Sequence, residues 1–592
     1  DKFGRVAKSY LAYTIVPSIL PGTIFRTDPL TEQAYFYNNE SNIENSAYPF
    51  AETVFEPSPN NRVIEQSNAG ADWRISAGHT FSKITRTNTS TEQVLIWKLN
   101  GSNQWEATAY FSEKTLYVTE TKDENGNMIA TFQDRVGRNI CVYQQKAASV
   151  NTNNPLSTLK NQFAITYYIY DDMGNLALVV PPSGMNELIT SGTYLISNAI
   201  KQNWCTEYSY DKRHRLVEKS IPGSDVQYYV YDNLDRIILS QDGNLRTGNN
   251  WMFYKFDILS RPILSGVYNN TTYTNRAAMQ SYIDANFNVG SFKPYEYRTA
   301  TSYSTQQGYT NQALPTHDYA KMLIVNYYDD YDFDDNGSPD YTFYNDDGWG
   351  TTAFYRLKNK LTGTKSRILN SDGTFSSTWL SDILFYDKKN NPIERRSIDH
   401  LGNTNMTINA YDFINTLIKT KYTPNFTPPG GGAPMSGILK TYEYDRARRL
   451  LRIKEKNYGD AEVIIADYKY NELGELIEKN LHSTNSGSTY LQSVDYQYNI
   501  RGWMKNINNA DLNANGLTTD NNSDLFGLEL YFTSPLTTDF DCAPQYNGNI
   551  TMARWKTSGD ASAHGYGYRY DQMNRITKAT YKDYTIVGGE FV

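Results

Sequence analysis

Tyr231-Asp232-Asn233-Leu234-Asp235-Arg236-Ile237 is one copy of a phrase that recurs along this chain: an aromatic residue, Asp, two variable residues, a turn-prone residue, and often Arg or Asn. Other copies read Tyr170-Asp171-Asp172-Met173-Gly174-Asn175, Tyr210-Asp211-Lys212-Arg213-His214-Arg215 and Phe256-Asp257-Ile258-Leu259-Ser260-Arg261. Further along come Tyr386-Asp387 with Asn390, Tyr411-Asp412 with Asn415, Tyr444-Asp445 with Arg448 and Tyr570-Asp571 with Asn574-Arg575. Two copies carry Asn in place of Asp, Tyr470-Asn471 with Gly474 and Tyr498-Asn499 with Gly502. A phrase repeated in this way implies a modular β architecture, so the question becomes what the array builds.

The phrase has a turn chemistry. A short polar side chain at the first turn position bonds the backbone two residues on, and the fourth position is most comfortable at positive φ, which Gly tolerates freely and Asn, Asp and His better than most. The combination predicts a three-residue hairpin loop closed by a bulge. The flanks agree: Tyr208 and Tyr210 precede one turn and Leu216 and Glu218 follow it, while Tyr468, Tyr470, Leu476 and Glu478 frame another. As catalytic acids these Asp residues would be redundant, whereas a turn former is needed in every copy. A single hairpin is marginal in water, so the units must stabilise one another collectively.

Of 592 residues, 50 are Tyr and 14 % are aromatic, which supplies apolar surface despite a mean hydropathy of -0.62. A Tyr ring that packs while its hydroxyl reaches solvent suits a sheet with one wet face. The 56 basic and 64 acidic residues give a net charge of -8 with no long run of either sign, so neither a nucleic-acid partner nor an anionic membrane is expected. No apolar stretch reaches the ~18 residues of a membrane helix, and membrane insertion by this segment is not expected. The cysteines, Cys141, Cys205 and Cys542, are odd in number and widely spaced, which argues against a disulfide framework.

The chain begins with Asp1-Lys2-Phe3-Gly4-Arg5-Val6, the back half of the phrase, so the expectation is a piece of a longer protein starting inside a repeat. Residues 1–122 form a divergent N-terminal part of the repeat region. Residues 123–423 hold repeats, resuming with Asp134 to Arg138, with insertions at 181–202 and 268–322. The spacing of Met185, Leu188, Ile189, Leu195, Ile196 and Ile200, and the stretch from Arg276 to Ile283, predict short helical pieces within them. A Pro/Gly-rich loop at 424–440 contains Pro428-Pro429-Gly430-Gly431-Gly432-Ala433-Pro434, and 441–592 carry further repeats.

These phrases resemble the YD repeats of rearrangement hotspot (RHS) proteins, most closely at Tyr170 to Leu176, Tyr231 to Ile237 and Tyr570 to Ile576. The stretches Leu116 to Gly126 and Asp524 to Leu530 resemble the large secreted RHS proteins of Bacteroidetes. The resemblance implies a mainly β fold: YD hairpins in a continuous sheet that spirals into a hollow shell, as in RHS toxins, insecticidal toxin complexes and the teneurin ectodomain. It also implies a secreted or cell-surface bacterial protein, in which such a shell encloses a C-terminal effector or serves adhesion. No RHS core-closing motif and no recognisable effector appear up to Val592.

Few residues suggest chemistry. Asp332-Phe333-Asp334-Asp335-Asn336-Gly337-Ser338-Pro339-Asp340 places oxygen ligands at alternating positions around a Gly, the pattern of a Ca²⁺ loop, with Asp332, Asp334, Asn336 and Asp340 as the candidate ligands. Phe343 stands where a full EF-hand needs Glu, so a solvated acidic turn is the slightly favoured reading. Asp511-Leu512-Asn513-Ala514-Asn515-Gly516 with Asp520 is a weaker relative and reads as a turn. His79, His214, His317, His400, His482 and His564 lack ligand spacing, so no zinc site is expected. No nucleophile elbow, phosphate loop or dinucleotide fingerprint is present.

The expectation is therefore a non-enzymatic shell segment with no certain cofactor, Ca²⁺ at the Asp-rich loop being the one candidate. It would enclose or present another part of its own polypeptide, such as a C-terminal toxin. An adhesin that binds cell-surface glycans or other cells is the alternative, a repeat-built glycoside hydrolase the third, and a secretion apparatus a further partner.

Overall fold

The computed structural model describes the chain except residues 2, 15–27, 41–42, 345–348, 350, 427–436, 513–523, 538 and 585–592. The core of the Pro/Gly-rich loop and Asn513, Asn515, Gly516 and Asp520 of the weaker Asp-rich stretch lie outside the described residues.

The fold is mainly β, a 31-stranded antiparallel sheet with few helices. It is a meander. Lys8–Tyr10 pairs with Phe50–Phe55, which pairs in turn with Val63–Gln66, Phe81–Thr87 and Tyr117–Lys122 in succession. From there each strand pairs with the next in sequence as far as Ile576–Tyr584. Among the described residues the one departure is the hairpin Leu95–Leu99 with Trp105–Tyr110, which forms a separate 2-stranded sheet. Strands twist against their neighbours by roughly 20–25°, so a sheet far beyond about ten strands curls rather than staying flat.

Strand direction alternates in a meander, so every second connection falls on the same edge. The turns at Asp134, Asp171, Asp211, Asp232, Asp257, Asp387, Asp412, Asp445, Asn471, Asn499 and Asp571 all fall on one edge. The opposite edge carries tight turns at Asp123, Asn370 and Asp399, and most of the insertions. The expected helical pieces are Pro182–Ser191, Asn198–Trp204 and Arg276–Asn286. Helices at Pro29–Asn39, Leu156–Gln162 and Gly243–Thr247 carry no periodic signal strong enough to have been expected. A further insertion, residues 329–360, leaves from the YD edge between Met322–Tyr328 and Leu361–Leu369.

One face of the ribbon packs under these insertions. Phe163, Ile165, Tyr167 and Ile169 alternate inward against Leu156, Leu159, Met185 and Leu188 of the helices. Trp251, Phe253 and Lys255 alternate in the same way beneath Met279, Ile283 and Tyr309. On the other face most repeat tyrosines and their partners two residues earlier are only half-buried, as at Tyr208 and Tyr210 or Tyr468 and Tyr470, while Tyr231 is buried.

Candidate functional site

The repeated turn is the first element of the site, because it shapes one edge of the sheet. Asp171 N donates to Asn175 O at 2.9 Å and Gly174 N to Asp171 O at 2.9 Å. The Asp171 carboxylate accepts from Met173 N at 3.0 Å and Asn175 N at 2.8 Å. The same bonds recur at Asp211, Asp232, Asp257, Asp387, Asp412 and Asp571, and on Asn471 through its amide oxygen. At Asp445 the bond to Arg449 N is 2.8 Å. The fourth position is left-handed in each, from φ 60° at Ser260 to 89° at Gly474. The pairing register slips by one residue at the preceding aromatic, for example between Ile169 and Tyr170, which is the bulge.

Two contacts link turns to neighbouring hairpins, the first at the copies that carry Arg, and neither is readable from a single repeat. The Arg that follows the left-handed residue binds its own Asp and lies over the next aromatic ring. Arg215 Nε donates to Asp211 at 2.7 Å and its guanidinium sits 4.7 Å above Tyr231; Arg449 bonds Asp445 at 2.6 Å and sits 4.9 Å above Tyr470. Arg138 over Tyr170 and Arg236 over Phe256 repeat the arrangement. The phenol, expected to reach solvent, instead donates to a backbone carbonyl of the preceding hairpin: Tyr231 to Leu216 at 2.7 Å, Tyr386 to Leu361 at 2.8 Å, Tyr470 to Leu450 at 2.8 Å, Tyr570 to Ile550 at 2.7 Å. The physical reason is that an open meander leaves one carbonyl at each bulge off the ladder, and a partly buried carbonyl needs a donor.

Electrostatics follow. Partial burial works against ionisation of Asp211, but bonds from the Arg215 backbone and guanidinium outweigh it and hold its carboxyl below the usual range. At Asp412 the backbone N–H of Thr416 is the main cause of the same lowering.

The second element is a seam where the beginning of the ribbon meets its end. The insertion-side connections of the first strands dock against the YD-side connections of the last. Trp73 Nε1 donates to Tyr546 O at 2.7 Å, Tyr546 N to Asn125 Oδ1 at 2.8 Å, and Asn125 Nδ2 to Gln545 Oε1 at 2.8 Å. Arg501, in the Asn499 turn, lies 4.2 Å over Trp503 and 5.1 Å over Trp73, and pairs with Glu124 at 3.3 Å. Burial pulls the Arg501 guanidinium below its ordinary value, with Glu124 opposing. His79 stacks on Tyr546, and Trp73 meets Trp503 edge-on at 5.7 Å. Clefts of about 520 and 500 Å³ open beside this seam, lined by Glu44, Trp73 and Phe532 in one and by Tyr37, Glu475 and Arg501 in the other.

The third element is the Asp-rich loop. Carboxylate oxygens of Asp332, Asp334 and Asp340 lie within 4.8 Å of one another, enough to offer a hard cation three oxygens. Asn336 is turned differently. Its amide nitrogen donates to Asp334 at 2.9 Å and its oxygen accepts from Ser338 N at 2.9 Å. Asp332 accepts from Asn336 N and Gly337 N at 3.0 and 2.8 Å, and Asp340 from Phe333 N at 2.6 Å. Burial, then the neighbouring Asp334 and Asp332, push the Asp340 carboxyl up. Arg298 anchors the loop by binding the Asp330 carboxylate and, at 2.6 Å, Asp332 O.

Residues 1–87 match the family described as "Domain of unknown function (DUF6443)". No curated protein matches the chain. Among solved structures, the chain is similar to one described as the crystal structure of TcdB2-TccC3-TEV, at 13 % identity and a TM-score of 0.39, over 90 % of this chain and 24 % of that one. It is also similar to the Photorhabdus luminescens Tc holotoxin pore, at 12 % identity and a TM-score of 0.32, over 92 % of this chain and 22 % of that one. The crystal structure of TcdB2-TccC3-Cdc42 gives 12 % and 0.33, with 92 and 24 % covered. The chain thus spans about a quarter of the length of these proteins.

Proposed function

We propose that this chain is a wall segment of an RHS-type shell, a non-enzymatic β ribbon of a secreted or surface protein that encloses or presents another part of its own polypeptide. The observation that supports this reading is the seam. Opposite edges of one ribbon meet after a circuit, with Tyr546, Trp503 and Arg501 of the late strands seated on Trp73, Glu124 and Asn125 of the early ones. A curled sheet whose turn-bearing edges stack in this way bounds a volume. The wall would keep an unfolded or toxic segment of the same polypeptide away from solvent until release.

Negative-stain imaging of the purified chain tests the wall: particles should show a curved wall around a lumen, and an extended solenoid without one overturns the reading. Co-production with the polypeptide segment that follows this one in the full protein tests the cargo. The segment should resist added protease while the wall is intact, and its ready digestion would remove the enclosing role.

A further inference from the structure

Lys255 is out of place in its strand. It follows Trp251 and Phe253 on the inward face of Asn250–Phe256, its side chain has no exposed surface, and it lies under the insertion that spans 270–321. A buried ammonium needs close partners, and this one has two of different kinds. Nζ is 2.6 Å from Glu296 Oε1 and 2.7 Å from Asn311 Oδ1. Glu296 is equally buried, and its carboxylate is held by Thr310 Oγ1 at 2.6 Å, Gln312 N at 2.9 Å and Ala313 N at 2.9 Å. The Asn311 amide is also fixed: its oxygen accepts from His317 N at 3.2 Å and its nitrogen donates to His317 O at 2.9 Å. An amine, a carboxamide and a carboxylate are thus locked together in an apolar pocket walled by Phe253, which stacks on His317 at 4.7 Å.

We infer that Lys255 and Asn311 are built to join through an isopeptide bond, with Glu296 as the proton carrier. With Nζ 2.7 Å from the amide oxygen, the carbonyl carbon lies one bond further on, and attack requires Nζ to settle over Cγ at the roughly 3–3.5 Å of a near-attack arrangement. Glu296 takes one proton from the Lys255 ammonium, and the neutral Nζ attacks Asn311 Cγ. The His317 N–H, 3.2 Å from Asn311 Oδ1, is the donor that stays on the oxygen as it gains charge. Glu296 passes its proton to Nδ2, the Cγ–Nδ2 bond breaks, and the second Nζ proton leaves with the departing ammonia as ammonium. An ammonium side chain and a carboxamide thereby become a secondary amide and one ammonium ion, and the Glu296 carboxylate is restored. Burial lowers the Lys255 pKa against the opposing pull of Glu296, which eases the first proton transfer. His317, buried beside Lys255, is pushed down to about 2 and stays neutral, so it does not compete for that proton. The product ties a wall strand to the insertion across 56 residues of chain.

Intact-mass measurement and a tryptic map of the purified chain test this. The expected mass is short by one ammonia, and the map contains a branched peptide joining Lys255 to Asn311 with no cleavage after Lys255. Lys255→Met and Asn311→Ala should restore the full mass. Glu296→Gln should restore it while both joined residues remain, a result that a merely structural carboxylate would not give. Full mass in the unaltered chain with normal cleavage after Lys255 overturns the inference. So does ammonia loss without the branched peptide, which an Asn-Gly imide would produce, or loss of water with the branch at Glu296.

Discussion

The guanidinium of Arg236 binds Asp232 of its own turn at 2.7 Å and lies 4.8 Å above the ring of Phe256 in the following hairpin. One side chain thus holds its own turn in shape and seats the next repeat on it. At the copies that carry this Arg, loss at one position should be felt by two hairpins. Arg236→Ala leaves the Asp232 carboxylate, which is 1 % exposed as a residue, without its counter-charge, and should cost about 3 kcal/mol. Arg575→Ala, at a side chain 66 % exposed, should cost about 0.5 kcal/mol or less. Urea melts of the two variants give the comparison, and equal midpoints would remove the role assigned to the stack.

The Tyr hydroxyl is the second link between hairpins. Tyr231→Phe keeps the ring and loses only the bond to Leu216 O, so a cost of about 1 kcal/mol is expected. Hydrogen exchange should loosen first at Leu216–Ser220 and its neighbours, and protection unchanged there would show the bond to be idle.

Gly174 has φ 85° and an added Cβ would lie 3.2 Å from an Arg138 nitrogen. Gly174→Val therefore forces a β-branched residue into the left-handed region and should destabilise by roughly 1–2 kcal/mol or more. Asn574→Gly, at φ 61°, relieves the same strain and should be tolerated at the backbone, although it also gives up the Asn547 contact. Thermal melts of the pair separate backbone strain from lost bonding.

The seam has its own test in Gly70. An added Cβ would meet Ile500 Cγ2 at 2.8 Å and Trp73 Cε3 at 2.8 Å, with φ at 110°. Gly70→Val should open the contact between the two ends while leaving the hairpins folded. Limited proteolysis should then cut faster around Tyr546 and Asn125, and an unchanged pattern would argue that the seam is not under load.

Acid should weaken the turns. The Asp412 carboxyl is held below its ordinary 3.8 in the folded chain, so its contribution is present above that value and is lost as the pH falls through the folded pKa. Asp340 is raised, so its sign is opposite: the neutral form is favoured by folding, and that contribution fades as the pH rises through its folded value. A stability profile from pH 7 downwards should fall below about pH 4, more steeply in the unaltered chain than in Asp412→Asn. Millimolar Ca²⁺ should raise the melting temperature by relieving the repulsion among Asp332, Asp334 and Asp340, and Asp332→Asn with Asp334→Asn should abolish the rise. No rise in the unaltered chain would leave the loop as a solvated turn.

The repeat itself was legible in the chain because its chemistry is local: every bond that shapes the Asp171 turn spans four residues or fewer, so the residue types at those positions carry the geometry with them. The β class and the helices at Pro182–Ser191 and Arg276–Asn286 were legible for the same reason, as periodic patterns within one element. The Arg-to-aromatic stack and the phenol-to-carbonyl bond were not, since each joins different hairpins and a repeat read singly does not show which neighbour it meets. The insertion at 329–360 and the partners of Lys255 were hidden further, because they depend on how a long connection folds back over the sheet. The seam lay beyond any local reading: its bonds cross 377 residues between Arg501 and Glu124 and 473 between Trp73 and Tyr546. The sequence by itself determined hairpins and an aromatic ribbon, whereas only the tertiary structure decided that the ribbon's edges meet, because accumulated strand twist sets which distant residues come face to face.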